Sequence, residues 1–130
     1  MEGIHLLGEW YGCPADTPEF TQADPLRELC VKAARDAGLT VVGERFFQFE
    51  PQGVTGTVLL AESHIAIHTW PEFSFASVDV YTCGTEINPW RAYNFMVKKF
   101  KAKNMTAVDM KRGVLPIPAK LLKHKPSPSK

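Results

Sequence analysis

No stretch of this sequence is apolar for the ~20 residues that a membrane-crossing helix requires. The N-terminal run "MEGIHLLGEW" lacks a small-residue cleavage site and carries Glu2, which argues against a secretory leader. Charge of one sign is lacking as well. The net charge is +1, so the chain offers no electrostatic footprint for nucleic acid. Cysteine is sparse and odd in number, with Cys13, Cys30 and Cys83, and this predicts free thiols in a reducing cytoplasm. What is present is ordinary: 130 residues, 45% hydrophobic and 22% charged, with no break in composition. A single domain over residues 1–122 follows. The basic, Pro/Ser-rich end "KHKPSPSK", residues 123–130, cannot bury apolar surface and reads as a mobile tail.

Periodicity supplies the elements. "IHLLGEWYG" is a strand closed by the turn-rich "GCPADTP". Asp24-Pro25 reads as the cap and first position of a helix. Leu26, Leu29, Cys30, Ala33, Ala34 and Ala37 form its apolar face, and Gly38 stops it. "TVVGERFFQFE" alternates as a strand with Val41, Phe47 and Phe49 on one side. "VTGTVLLAE" and "HIAIHTW" are strands joined tightly at Glu62-Ser63, and "FASVDVYTC" is another. Asn88-Pro89 opens a second helix, with Trp90, Tyr93, Val97 and Phe100 as its stripe, and "MTAVDMK" closes the chain. The order β-α-β-β, β-β-α-β predicts an α+β fold with helices on one face of a sheet. The other face also reads as apolar, which predicts a second sheet or subunit upon it.

"LLAESHIAIHTWPEFSFASVDVYTCG" concentrates the reactive residues. His64, His68 and Cys83 are zinc-ligand types. Four residues of strand span about 13 Å, so His64 and His68 cannot share an ion. Ser63 lacks the G-x-S-x-G elbow of a serine hydrolase. Cys83 and His68 could face each other on adjacent strands as a thiolate pair, but no cysteine-protease signature surrounds them. Singly, a strand histidine is more often a hydrogen-bonded structural residue, and a buried cysteine a small hydrophobe.

Together, "ESHIAIHTWPE" and "DVYTCG" closely resemble the S-adenosylmethionine decarboxylases of bacteria and archaea, the short class of pyruvoyl enzymes. "HLLGEWYGC", "FEPQGVTG" and "INPWRA" extend the resemblance over nearly the whole chain. It implies a self-made electron sink for decarboxylation. The Ser63 hydroxyl would attack the Glu62 carbonyl, converting amide to ester. Loss of the Ser63 Cα proton would then expel the Glu62 carboxylate. This splits the chain into a β fragment, residues 1–62, and an α fragment, residues 63–130, headed by a pyruvoyl group that forms a Schiff base with substrate. No metal, pyridoxal phosphate or putrescine is implied.

The resemblance assigns His68 as proton acceptor in processing and Cys83 as proton donor to the substrate carbon. A neutral imidazole and a protonated thiol suit those tasks at neutral pH. Thr55 stands where the family commonly has serine and keeps a supporting hydroxyl. Phe49 and Trp70 match aromatics beside the adenine, and Glu72 a carboxylate holding the ribose hydroxyls. His64 and Pro71 read as shaping the turn and strand end. Trp10, Tyr11 and Cys13 read as structural. The implied assembly is a homodimer of αβ units, a four-layer α-β-β-α sandwich with mainly antiparallel sheets and sites near the interface. The implied product is the aminopropyl donor for spermidine synthesis.

Phe73-Ser74-Phe75-Ala76-Ser77 departs from the family's commoner Tyr-Gly-Tyr-Ala-Ala. Trp10 is bulkier than usual there, and Asn88 replaces Asp as a cap. An alternative substrate, arginine or ornithine, would require an acidic partner, for which Glu9 and Glu72 are candidates. An uncleaved, non-catalytic subunit is the rival from another class, although such a chain is expected to have lost Ser63, His68 or Cys83.

Overall fold

A computed structural model describes residues 2–83 and 88–117. The expected tail, residues 123–130, lies outside the described residues. Ten elements follow one another: β1 (Gly3–Tyr11), α1 (Pro18–Thr21), α2 (Ala23–Asp36), β2 (Val41–Gln48), β3 (Val54–Leu60), β4 (Ser63–Trp70), a 3-10 turn (Pro71–Phe73), β5 (Phe75–Cys83), α3 (Pro89–Phe100) and β6 (Asn104–Arg112). The strands form one six-stranded sheet in the order β2-β3-β4-β5-β1-β6, every adjacent pair antiparallel. The helices lie on one face, so the fold is α+β in two layers. No described helix is long and apolar enough to cross a membrane.

The alternation of each strand decides which face its residues meet. Leu6, Trp10, Val54, Val58, Ile65, Ile67, Ala76 and Val80 are buried beneath the helices. Leu26, Leu29, Cys30, Ala33 and Ala34 of α2 and Ala92, Tyr93, Met96 and Phe100 of α3 complete that core. Trp10 donates its indole N–H to the Tyr93 hydroxyl at 2.8 Å, which satisfies both polar atoms inside the core. Tyr93 lies across β1 where Gly8 passes, and a Cβ at residue 8 would collide with its ring.

Three expectations need correction. The strand from Val41 does not alternate cleanly, because the β2–β3 register shifts between Val41 and Gly43. That bulge puts Phe46, not Phe47, beside Val41 against the core, and leaves Phe47 exposed. Asp24 does not cap α2. The helix starts at Ala23, whose N–H is bonded by Gln48 Oε1 at 2.7 Å, so a side chain from β2 satisfies the helix start. Asp24 instead pairs with Arg27 one turn on, at 2.9 Å. The open face of the sheet is mixed rather than apolar. Leu7, Tyr11, Leu59, Val108 and Met110 are exposed there, with His5, Glu9, His64, His68 and Asp79 among them. Asn88 does cap α3, accepting from the Trp90 N–H at 3.0 Å.

Candidate active site

The β3–β4 hairpin carries nearly all the chemistry. Its turn is only Ala61-Glu62, between paired Leu60 and Ser63. The turn is tied down on both sides. Ala61 donates its N–H to the Thr40 carbonyl at 2.9 Å. The Thr40 N–H and hydroxyl donate to the two carboxylate oxygens of Glu62, each at 2.9 Å. Glu62 is thus buried with its charge fully engaged. The clasp from Thr40 carries no sequence signal, since it joins residues 22 apart through the sheet.

The Glu62 carbonyl oxygen faces the end of β5. There it accepts the Cys83 N–H at 3.0 Å and the Cys83 thiol at 2.7 Å. Two donors on one carbonyl polarise it and would stabilise negative charge on that oxygen. Ser63 follows directly, with φ 159°, close to fully extended. The tightness of this turn therefore comes from its length and its tethers, not from a left-handed backbone. Glu62, Ser63 and Cys83 are brought together here.

His68 is not among them. It lies five residues along β4 from Ser63, about 16 Å away. Its Nδ1 is 3.1 Å from the Thr55 hydroxyl on β3, so Thr55 and His68 form their own pair. The expected facing of His68 and Cys83 is also corrected. His68 stands opposite Ser77 on β5, and Cys83 lies at the far end of that strand. Beyond His68, a pocket of about 290 Å³ is lined by Phe49, Thr55, Trp70 and Glu72, together with Glu50–Gly53 and Thr69. All three residues matched to substrate binding line this one cavity. Trp70 stacks loosely on Phe75 at 5.4 Å, and Phe75 on Tyr11 at 5.3 Å, extending an aromatic strip over the open face.

Ser74, which replaces the commoner glycine of "PEFSFAS", ends the 3-10 turn at φ 51°, a left-handed position that favours glycine. Its carbonyl accepts the Cys13 N–H at 3.0 Å, which fixes the loop after β1. Cys13 itself is buried, as its structural reading requires. Burial pushes the Cys13 thiol up to about 11 and the Cys30 thiol up to about 12, so neither is a nucleophile at neutral pH.

Sequence reasoning missed one cluster. His5, His64 and Asp79 meet on the open face through the pairing of β1, β5 and β4. Asp79 Oδ1 is 2.6 Å from His64 Nε2 and 3.2 Å from His5 Nε2. Ser63 Oγ is 3.3 Å from His64 Nδ1. The available signal was parity: His64 shares the face of His68, and Asp79 shares the face of Ser77.

Residues 4–113 match the profile of a family described as S-adenosylmethionine decarboxylase. The chain is 47% identical over 119 residues to the S-adenosylmethionine decarboxylase proenzyme of Acetivibrio thermocellus, covering 92% of this chain and 94% of that one. It is 48% identical over 114 residues to the proenzyme of the same description from Pelotomaculum thermopropionicum, covering 88% and 89%. The crystal structure of adenosylmethionine decarboxylase from Aquifex aeolicus superimposes with a TM-score of 0.81 at 41% identity, over 87% of this chain and 92% of that one. A Trypanosoma brucei AdoMetDC-delta26 monomer aligns with a TM-score of 0.61 at 18% identity, over 82% of this chain and 45% of that one, a likeness of fold alone. With the profile spanning β1 to β6 and relatives nearly half identical along their length, the chain belongs to the S-adenosylmethionine decarboxylase family.

Proposed function

We propose that this chain is a self-processing, pyruvoyl-dependent S-adenosylmethionine decarboxylase that yields the aminopropyl donor for spermidine synthesis. The observation that carries the reading is the Glu62 carbonyl, held by both the N–H and the thiol of Cys83 beside the Ser63 hydroxyl. Attack by Ser63 Oγ on that carbonyl carbon moves negative charge onto an oxygen that already has two donors. Each such donor is worth about 100-fold or more in rate. The residues present also suit a keto group at position 63. Ser63 begins a strand paired on both sides, so the new N-terminus stays where it is made. A pyruvoyl group there supplies the electron sink that no ordinary side chain offers. Cys83 keeps a thiol next to residue 63 and can hand its proton to the substrate carbon.

His68 cannot remove the Ser63 Cα proton within one chain, being about 16 Å along the strand. The pocket, one turn of alternation further, is equally remote. We infer that a second copy, packed on the open face in antiparallel fashion, brings its His68, Thr55 and pocket to the first copy's Ser63. This gives a homodimer with the four-layer α-β-β-α arrangement. The exposed Leu7, Leu59, Val108 and Met110 would then be buried between the sheets. Phe49 and Trp70 offer faces for a purine and for a sulfonium, and Glu72 a carboxylate for ribose hydroxyls. Arginine and ornithine would make poor use of that aromatic lining.

The test has two parts. Intact mass of the purified protein should show fragments of residues 1–62 and 63–130, the latter carrying a pyruvoyl N-terminus. Carboxyl-labelled S-adenosylmethionine should release label, whereas labelled arginine and ornithine should not. A stable full-length product sinks the self-processing reading, and release from arginine or ornithine alone sinks the substrate.

A further inference from the structure

Before Ser63 can attack, its hydroxyl must give up a proton. The residue matched to a processing base, His68, is remote from it in the same chain. A different imidazole is at hand. His64 Nδ1 is 3.3 Å from Ser63 Oγ, and its other ring nitrogen is held by Asp79 at 2.6 Å. We propose that His64, oriented by Asp79, is the base that takes the Ser63 hydroxyl proton in the amide-to-ester step. The inference rests on the self-processing reading above and assigns His68 only to the later elimination.

The hydrogen-bond network decides which nitrogen is free. A guanidinium can only donate. Arg112 Nη1 is 3.3 Å from His5 Nδ1, so that nitrogen accepts and the His5 proton sits on Nε2. His5 Nε2 therefore donates to Asp79 Oδ1 at 3.2 Å. A carboxylate receiving that bond has no proton to offer His64, so His64 Nε2 is also a donor to it. The lone pair of His64 is left on Nδ1, facing the serine hydroxyl. Tyr81 stacks on His5 at 5.1 Å and meets His64 edge-on at 5.9 Å, which fixes both rings. Arg112 lies over the Tyr81 ring at 4.4 Å. The roles are those of nucleophile, base and orienting carboxylate in an acyl transfer.

The step is balanced within the chain. The Ser63 Oγ proton passes to His64 Nδ1 as the bond from Oγ to the Glu62 carbonyl carbon forms. The bond from that carbon to the Ser63 nitrogen then breaks, and the nitrogen leaves with the proton returned by His64. Asp79 stabilises the transient imidazolium. The same three residues could be read as a metal site, since their donor atoms lie within 4.8 Å of one another. That reading requires a bare Nε2 on His5, which the Arg112 contact opposes.

The experiment separates the two steps. Chains are made by cell-free translation and followed by intact mass, then treated with hydroxylamine at neutral pH, which cuts an ester but not an amide. Wild type should cleave. His68→Ala should stall with a hydroxylamine-sensitive chain, because the ester forms and is not eliminated. His64→Ala should slow cleavage by about 100-fold or more, the usual worth of a general base, and its uncut chain should resist hydroxylamine. His64→Gln keeps a donor for Asp79 and has no base, so it should behave alike even where His64→Ala fails to fold by circular dichroism. Asp79→Asn should slow cleavage by about 10-fold or more, and added imidazole should speed His64→Ala but not Asp79→Asn. Cleavage of His64→Gln within threefold of wild type overturns the inference, as does a hydroxylamine-sensitive chain from it. Arrest by a chelator with recovery on adding zinc overturns it in favour of a metal. An uncleaved wild type refutes the self-processing reading instead.

Discussion

The two ends of the β3–β4 hairpin are built from the same strands and do opposite things. At the turn, the carboxylate and the carbonyl of Glu62 are both partnered, and Ser63 and Cys83 are held at hydrogen-bond range of that residue or its neighbours. At the other end, Phe47, Phe49 and Trp70 remain substantially exposed, and Phe49 and Trp70 border the cavity. The turn carries the proposed nucleophile and a carbonyl with two donors on it. On the proposed reading, the open end holds the recognition groups, with nothing in the same chain to act upon. A sheet strand is a rigid ruler, so residues five and seven positions apart on β4 cannot converge. The contrast fits the proposed division, in which bond cleavage is begun by one chain and substrate turnover is completed by two.

The strongest way to break that comparison is complementation. Co-expressed Ser63→Ala and His68→Ala chains should each be inactive alone. Mixed in a two-fold dimer they should regain about a quarter of wild-type decarboxylation, one restored site in each mixed pair. No recovery in mixed dimers identified by mass would place both residues in one chain's site. A smaller effect sharpens the division of labour. Trp70→Ala should raise KM for S-adenosylmethionine by about 10-fold, the equivalent of one aromatic stack, and leave the rate of chain cleavage unchanged. Slowed cleavage in that variant would mean the two ends are coupled. The smallest effect concerns the thiols beneath the sheet, in contrast with Cys83 at the turn. The Cys30 thiol is pushed up by burial to about 12, so the folded chain keeps a proton that the unfolded chain loses above about pH 9. Stability from this thiol is complete below that pH and declines as pH rises, by about 1 kcal/mol at pH 10. The melting temperature should fall between pH 8 and 10, and Cys30→Ala should reduce the fall.

Much of this was legible because strands announce themselves by parity. The helix face of Leu26 to Ala34 follows from spacing alone and is buried; of the α3 stripe, Tyr93 and Phe100 are buried, Trp90 and Val97 are half-buried, and Ala92 and Met96 join the core instead. The reactive stretch was legible as a motif. Its partition was not, because a motif lists residues without saying that His68 points to one end and Cys83 to the other. The bulge near Val42 also escaped, since one extra residue reverses the alternation and leaves no mark in composition. His5, His64 and Asp79 are scattered over 74 residues and meet only through two strand registers. Gln48 reaching the start of α2 escaped in the same way. Each miss is a long-range pairing, and each lies where tertiary register outranks local preference.

The strand order β2-β3-β4-β5-β1-β6 has one more consequence. Cutting between Glu62 and Ser63 assigns β1, β2 and β3 to one piece and β4, β5 and β6 to the other. These pieces are interleaved, with β1 lodged between β5 and β6, and β3 hydrogen-bonded to β4. Separating them would tear three ladders and open the whole core. On the self-processing reading, the molecule is woven before it is cut, and once cut it stays woven. A backbone scission that elsewhere would liberate a fragment would here be mechanically silent, its trace the chemical group proposed at the head of β4.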